Sequence, residues 1–188
     1  TFLECQDMFR ENGIFRDVLL YQMPAAYIND LYYRTKETSK GWELTVSADI
    51  ASPSDGMTLR TEIYDGKKLI ASKTADAKAD TVISFKGLDV ISWNAEIPTL
   101  YTAYTSLYRG DDEVMTLRNY IGFKTVKIKK DVFTVNGKAI KVKGVNHHDT
   151  QYKTGYVMSF DDLEKDIKLM KSLNVNAVRT SHYPPDPA

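Results

Sequence analysis

The chain has 188 residues, 43% of them hydrophobic and 27% charged, which suits one ordinary domain plus parts of others and excludes a disordered composition. Its 25 basic and 25 acidic residues cancel, so no global field steers it to nucleic acid or to an anionic membrane. Cys5 is the only cysteine, which excludes an intrachain disulfide, and no apolar run is long enough to span a bilayer.

Three zones follow along the chain. The first, residues 1–23, ends in the apolar run Val18-Leu19-Leu20-Tyr21, and Pro24 punctuates it. The second, residues 24–129, is expected to be all-β. Trp42, Leu44, Val46, Ala48 and Ile50 alternate with Glu43, Thr45, Ser47 and Asp49, the period of a half-buried strand. Leu59, Thr61 and Ile63 alternate with Arg60, Glu62 and Tyr64, then Asp65-Gly66 signals a turn and Lys68 to Ser72 resumes a strand. Further strands are expected at Val82 to Phe85, Tyr101 to Tyr108 and Met115 to Ile128, separated by Gly87, Asn94, Pro98 and Gly110-Asp111-Asp112. About seven short strands over roughly a hundred residues predict an antiparallel β-sandwich of immunoglobulin-like type. With no cysteine pair between the sheets, its core must rest on buried Trp, Leu, Ile and Val.

The third zone, residues 130–188, changes character. Asn136-Gly137 between Val132 to Val135 and Ala139-Ile140 is a two-residue hairpin signal. A strand is expected at Ile140 to Asn146. Ser159 with Asp162 three residues on resembles a helix start, with Asp in place of the usual Glu. Phe160, Leu163, Ile167, Met170 and Leu173 then mark one apolar helical face, Asn174 ends it, and Val175 to Val178 reads as a second strand. Strand, helix, strand predicts a βαβ unit with parallel strands. The fold class is therefore mainly β, a sandwich with a C-terminal βαβ piece.

Polar residues collect just past the ends of these two strands, the edge that carries chemistry in α/β sheets and barrels. His147, His148 and Asp149 follow the first strand; Arg179, Ser181 and His182 follow the second. His and Asp are metal ligands, but adjacent histidines on an extended segment point to opposite sides, so at most one would share a site with His182. The alternative is loop histidines in ordinary hydrogen bonds. Arg179 can hold a carboxylate in two parallel hydrogen bonds, or make a surface salt bridge. Cys5 has no basic partner nearby and reads as a small buried hydrophobe. Asp161, Asp162 and Asp166 suit a solvated helix face, and the 12 tyrosines suit core packing, although tyrosine stripes can also bind sugars.

Several runs carry a resemblance. They are Gln6-Asp7-Met8-Phe9-Arg10, Gly13-Ile14-Phe15-Arg16-Asp17-Val18, Ser92 to Tyr101, Gly122-Phe123-Lys124, Val135-Asn136-Gly137-Lys138, and Gly144-Val145-Asn146-His147-His148-Asp149. The most specific are Asp166 to Lys171 and Asn176-Ala177-Val178-Arg179-Thr180-Ser181-His182-Tyr183-Pro184. Together they resemble bacterial β-galactosidases of glycoside hydrolase family 2. The resemblance implies the end of a sugar-binding jelly-roll domain in residues 1–23, the immunoglobulin-like sandwich in 24–129, and the incomplete start of a catalytic (β/α)8 TIM barrel in 130–188. It implies that Asp7 contacts the galactose 6-hydroxyl and a sodium ion, that His182 hydrogen-bonds the sugar in the transition state, and that Arg179 lies near the nucleophile. Asn146 and His148 would line the floor of the site. The parent enzyme would be a homo-oligomer acting on a β-galactoside, with Mg2+ and Na+ as cofactors, and no nucleic acid or membrane partner is expected.

There are departures. Phe9 stands where the family usually has Trp and His147 where it usually has Arg. Thr150-Gln151-Tyr152 and Pro185-Asp186 also replace the family's usual residues. Lys141 and Lys143 are unusual for a strand buried on both faces of a closed barrel. The chain reads as an internal piece with both ends cut, so its compartment, cytoplasmic or periplasmic, stays open. Retaining glycosidases need two carboxylates about 5 Å apart. No glutamate follows Glu164, which falls in the predicted helix, so the chain alone is expected to be inert. The helix's apolar face would lie on the sandwich, pair with another copy, or stay mobile. The competing readings are a free-standing carbohydrate-binding module and a β-glucuronidase-like member of the same family.

Overall fold

The alternation of apolar and polar residues becomes paired strands in a computed structural model that describes residues 12–187. The described residues divide into two units, Tyr21–Ile140 and a second formed by residues 141–187 with residues 12–20.

In the first unit β1 (Tyr27–Thr38), β2 (Gly41–Ala51) and β5 (Asp80–Leu88) form one antiparallel sheet in the order β1-β2-β5. β3 (Met57–Asp65), β4 (Lys68–Asp76), β6 (Tyr101–Arg109) and β7 (Asp112–Ile121) form the other, in the order β4-β3-β6-β7. In the constant-type immunoglobulin arrangement the fourth strand joins the sheet of the first, second and fifth. Here β4 stays hairpin-paired to β3 from Asp65↔Lys68 to Thr58↔Asp76, which moves it to the four-stranded sheet. The turn between them centres on Gly66-Lys67, with Gly66 at φ +55°, a conformation that costs glycine little.

The inward positions of β2 are Trp42, Leu44, Val46, Ala48 and Ile50, all buried, as the period of two requires. Leu59, Ile63, Ala103 and Leu107 meet them from the other sheet. Phe123, fully buried, lies edge-on to Trp42 at 5.8 Å and to Tyr101 at 5.4 Å between ring centroids. Tyr101 is buried but keeps its hydroxyl satisfied by accepting the Ile91 N–H at 2.8 Å.

The two sheets also share a chain of hydroxyls that the composition did not announce. Thr61 Oγ1 lies 3.1 Å from Thr105 Oγ1, and Thr105 Oγ1 lies 3.1 Å from the Tyr33 hydroxyl. Tyr33 in turn donates to Asn119 Oδ1 at 3.2 Å. Since Tyr33 has one proton and spends it on Asn119, Thr105 donates to Tyr33 and Thr61 to Thr105. The chain satisfies two fully buried threonines and links β1 to three strands of the facing sheet. Burial raises the Tyr33 phenol above its ordinary value, with the Thr105 bond opposing.

β8 (Val126–Lys129), β9 (Val132–Val135) and β10 (Lys138–Ala139) form a separate antiparallel sheet that closes this unit. Two two-residue turns build it. Asn136 and Gly137 sit at φ +50° and +75°, the type I′ geometry their dipeptide predicts. Lys130 and Asp131 adopt φ +47° and +64°, a region that Asp visits more readily than Lys. The Asn136 amide accepts the Thr125 N–H at 2.9 Å and donates to the Trp93 carbonyl at 2.9 Å. Trp93 packs against Gly122, where a Cβ would come within 3.0 Å of the indole. The boundary expected between residues 129 and 130 thus falls inside a hairpin stack that belongs with the sandwich.

In the second unit β11 (Gly144–His147) and β12 (Ala177–Thr180) pair in parallel around helix α1 (Phe160–Ser172). Ser159 caps the helix and forms the reciprocal box with Asp162, whose carboxyl is held below its ordinary range by the Ser159 side-chain and backbone bonds. β11 begins at Gly144, later than the expected Ile140. Lys141 to Lys143 are held instead by Asn176, whose amide accepts the Lys143 N–H at 2.8 Å and donates to the Lys141 carbonyl at 3.0 Å. No residue of α1 is buried: Phe160, Ile167 and Leu173 of its apolar face are open to solvent.

Two measurements follow. Phe123→Ala is expected to lower stability by about 3–5 kcal/mol, the usual loss for a large ring deleted from a core; urea unfolding that shifted by less than about 1 kcal/mol would show that this ring is not central. Hydrogen exchange on the dilute chain is expected to be fast across α1 and slow across β2, β3 and β6, because only the strands carry buried contacts. Strong protection of α1 in a monomer would contradict that assignment.

Candidate functional site

β11 and β12 run in the same direction, so both strands deliver their C-terminal residues to one edge. Their register pairs Asn146 with Arg179 and His147 with Thr180. Aligned residues on adjacent strands share a face, and Arg179 Nη1 accordingly donates to Asn146 Oδ1 at 3.4 Å. Arg179 Nη2 lies 3.3 Å from His182 Nδ1. A guanidinium only donates, so Nδ1 accepts, which leaves Nε2–H as the free donor of a neutral ring. The structure therefore brings Asn146, Arg179 and His182 together, and all three are exposed. His148 stands apart from them, edge-on to the Tyr183 ring at 6.4 Å. Asp7 lies outside the described residues.

The same strand ends carry a second, buried group around Asp149 that the residue pattern did not assemble. Asp149 is 6% exposed. Its Oδ1 accepts the Tyr183 hydroxyl at 2.9 Å and lies 3.3 Å from His147 Nδ1. Its Oδ2 accepts Arg16 Nη2 at 3.2 Å and the Asp186 N–H at 3.3 Å. Arg16 also donates to the Pro184 carbonyl at 3.4 Å, and its Nη1 approaches Asp186 Oδ2 at 3.6 Å. The other ring nitrogen of His147 meets Asp166 Oδ2 of α1 at 2.9 Å; the carboxylate accepts, so this nitrogen carries hydrogen. The Tyr183 hydroxyl, whose one proton goes to Asp149, lies 3.0 Å from the His147 carbonyl, and that carbonyl accepts the Ser181 N–H at 3.3 Å. Arg16 is steadied by Phe15, whose ring lies 5.0 Å from the guanidinium and 6.0 Å from the Tyr156 ring.

Asp149 was visible in the sequence only as a third member of a His-His-Asp run with metal-ligand chemistry. Its bonds show a carboxylate with both oxygens committed to protein donors. Arg16 stood only within one of the runs that carry the resemblance and Asp186 only as a departure from it, and neither spacing nor pattern relates position 16 to position 149. Among the described residues no group of three His, Cys, Asp or Glu side chains is arranged to hold a metal ion, and no helix is long and apolar enough to cross a membrane.

Parallel strands around a helix, with polar residues at their shared C-terminal edge, are the arrangement in which α/β enzymes carry their chemistry. Residues 26–124 match the family model described as glycosyl hydrolases family 2, and residues 126–188 match that family's TIM barrel domain. The chain belongs to glycosyl hydrolases family 2. It is 36% identical over 99% of its length to a β-galactosidase of Priestia megaterium and 34% identical over 98% to one of Streptococcus thermophilus. It covers 19% and 18% of those two proteins, so it spans about a fifth of the curated relatives it matches. Among solved structures, the FMN-binding β-glucuronidase from Facaelibacterium prausnitzii L2-6 superposes on 88% of the chain with a TM-score of 0.76 at 23% identity, and the chain covers 27% of it. At that identity the likeness is one of fold.

The site has a titration signature. Burial pushes the Tyr183 phenol up to about 12, aided by the hydrogen bond to Asp149 and its charge and opposed by Arg16. A phenol whose folded value is raised favours the folded state while it is neutral. That contribution is whole below pH 10 and is lost as the pH climbs from 10 towards 12. Absorbance at the phenolate band is expected to show a component titrating near 12 that Tyr183→Phe lacks. Loss instead of a component near 10 would mean that the hydroxyl is free in water.

Proposed function

We propose that the protein carrying this chain is a retaining β-galactosidase that hydrolyses terminal β-galactosides. The observation that carries the reading is the identity of 34–36% to curated β-galactosidases over nearly the whole chain. In this reading His182 hydrogen-bonds the sugar in the transition state. Arg179 holds the neighbourhood of the nucleophile, and Asn146 and His148 line the floor. Asp7 meets the galactose 6-hydroxyl and a sodium ion, and Mg2+ and Na+ serve the whole protein, which acts as a homo-oligomer.

The exposed side of the cluster suits such a role. Asn146, Arg179 and the Nε2–H of His182 offer donors and an acceptor to a neutral, hydroxyl-rich ligand, and a sugar needs no net field to bind. The chain does not by itself supply the reaction. Retention requires two carboxylates about 5 Å apart, one attacking and one exchanging the proton. Glu164 is the last glutamate of the chain and lies on α1, ion-paired to Lys168 at 3.0 Å. Of the carboxylates beside the end of β11, Asp149 has both oxygens already bonded and Asp166 is engaged by His147.

The whole protein is expected to cleave a chromogenic β-galactoside with retained anomeric configuration, and the 188-residue chain to give no turnover. Preference for a β-glucuronide would replace the reading with the glucuronidase one. Calorimetric binding of galactosides to the chain alone would favour a carbohydrate-binding module.

A further inference from the structure

Asp149, at the start of the loop after β11, is bonded to Tyr183 and to the Asp186 amide in the loop after β12. We propose that Asp149 is a positioning residue that locks the loop after β11, which carries His148, to the loop after β12, which carries His182. The proposal deepens the galactosidase reading and rests on it for its kinetic consequence, while its structural part stands on geometry alone.

The argument starts from what a buried charge needs. A carboxylate taken out of water must recover its hydration from fixed donors. Asp149 finds them on two stretches far apart in sequence: Arg16 before the sandwich, and Tyr183 and the Asp186 amide after β12, while His147 at the end of β11 lies 3.3 Å from its Oδ1. These partners also meet other members. Arg16 reaches the Pro184 carbonyl and Asp186, and the Tyr183 hydroxyl lies 3.0 Å from the His147 carbonyl. His147 is clamped on its far side by Asp166 of α1. The result is a closed set in which residues 147–149 and 181–186 cannot shift separately without breaking a charged or buried bond. His148 and His182 are the side chains these loops present next to that set. His148 rests on the Tyr183 ring, and His182 follows Ser181, which is 2% exposed and donates its N–H to the His147 carbonyl. Both oxygens of Asp149 are engaged, so the residue acts through others and does not touch the sugar.

The test uses the whole protein with Asp149→Asn and Tyr183→Phe. The amide keeps the size of Asp149 but turns a donor towards either Tyr183 or Arg16. The phenyl ring keeps the contact with His148 but drops the hydroxyl. Hydrogen exchange is the first arm. In Asp149→Asn the amides of residues 147–150 and of 181–183 and 186 are expected to exchange faster together. Faster exchange in one loop with the other unchanged would overturn the proposal, whether or not the protein is a galactosidase. Kinetics are the second arm. Per folded molecule, kcat on a chromogenic β-galactoside is expected to fall roughly ten- to hundredfold in Asp149→Asn, the usual loss for misplacing a group by about an ångström. KM is expected to stay within about threefold, since His182 is assigned to the transition state. A merely structural role would reduce the folded fraction and leave kcat per folded molecule unchanged, and that result would overturn the proposal. If Asp149→Asn does not fold, Tyr183→Phe decides in the same way through both arms, with a smaller loss. A wild-type protein that ignores β-galactosides would sink the galactosidase reading and leave the exchange arm to judge the lock.

Discussion

A carboxylate in a site 6% exposed is the constraint that organises the C-terminal unit. An ion of that size left unpaired in such a place would cost several kcal/mol, which is a large share of the stability of a small domain. Asp149 avoids that penalty with one full positive charge, one phenol and one backbone amide, and these donors come from stretches far apart in sequence. The parallel pair β11 and β12 alone has only four residue pairs and no tight turn to fix it. What joins its outgoing loops is therefore polar and not apolar. This reverses the arrangement of the sandwich unit, where apolar burial sets the structure and polar bonds follow.

In the sandwich the order of events is visible in β2. Five alternate side chains face inward and leave water, and Phe123 fills the space between Trp42 and Tyr101. Only then does the run Thr61, Thr105, Tyr33, Asn119 become useful, because hydroxyls enclosed by apolar neighbours must find each other. A domain without a disulfide thus obtains a directional link between its sheets from four side chains that also stand on four different strands.

Where the residue pattern itself forces a structure, the structure was legible. The alternation in β2 and β3, the Asn136-Gly137 turn and the Ser159 cap each state a local geometry in a few residues, and each appears where expected. β1 was not foreseen, because Tyr27–Thr38 mixes Asn, Asp, Arg and Lys into its rows and carries a bulge between Ile28 and Asp30 that breaks the period. The sheet assignment of β4 was hidden as well, since hairpin continuity with β3 and partnership with β5 demand the same alternation. At the site, Arg179 and His182 could be placed from strand ends alone, whereas Asn146 entered only through the resemblance. The set around Asp149 could not, because its meaning depends on burial and on Arg16, which no local pattern connects to it.

The two lysines before β11 show how the same logic resolves an apparent conflict. A closed barrel has no place for Lys141 and Lys143 in a strand buried on both faces. The ladder begins only at Gly144, and the lysine backbones are matched instead by the Asn176 side chain, which imitates one more residue of the neighbouring strand by accepting from Lys143 and donating to Lys141. The strand is thereby anchored without burying the ammonium groups. At its other end the Asp149 set does the corresponding work, so the short segment between them is held at both ends by side chains. Asn146 lies inside that span and Arg179 opposite it, and both side chains stay exposed.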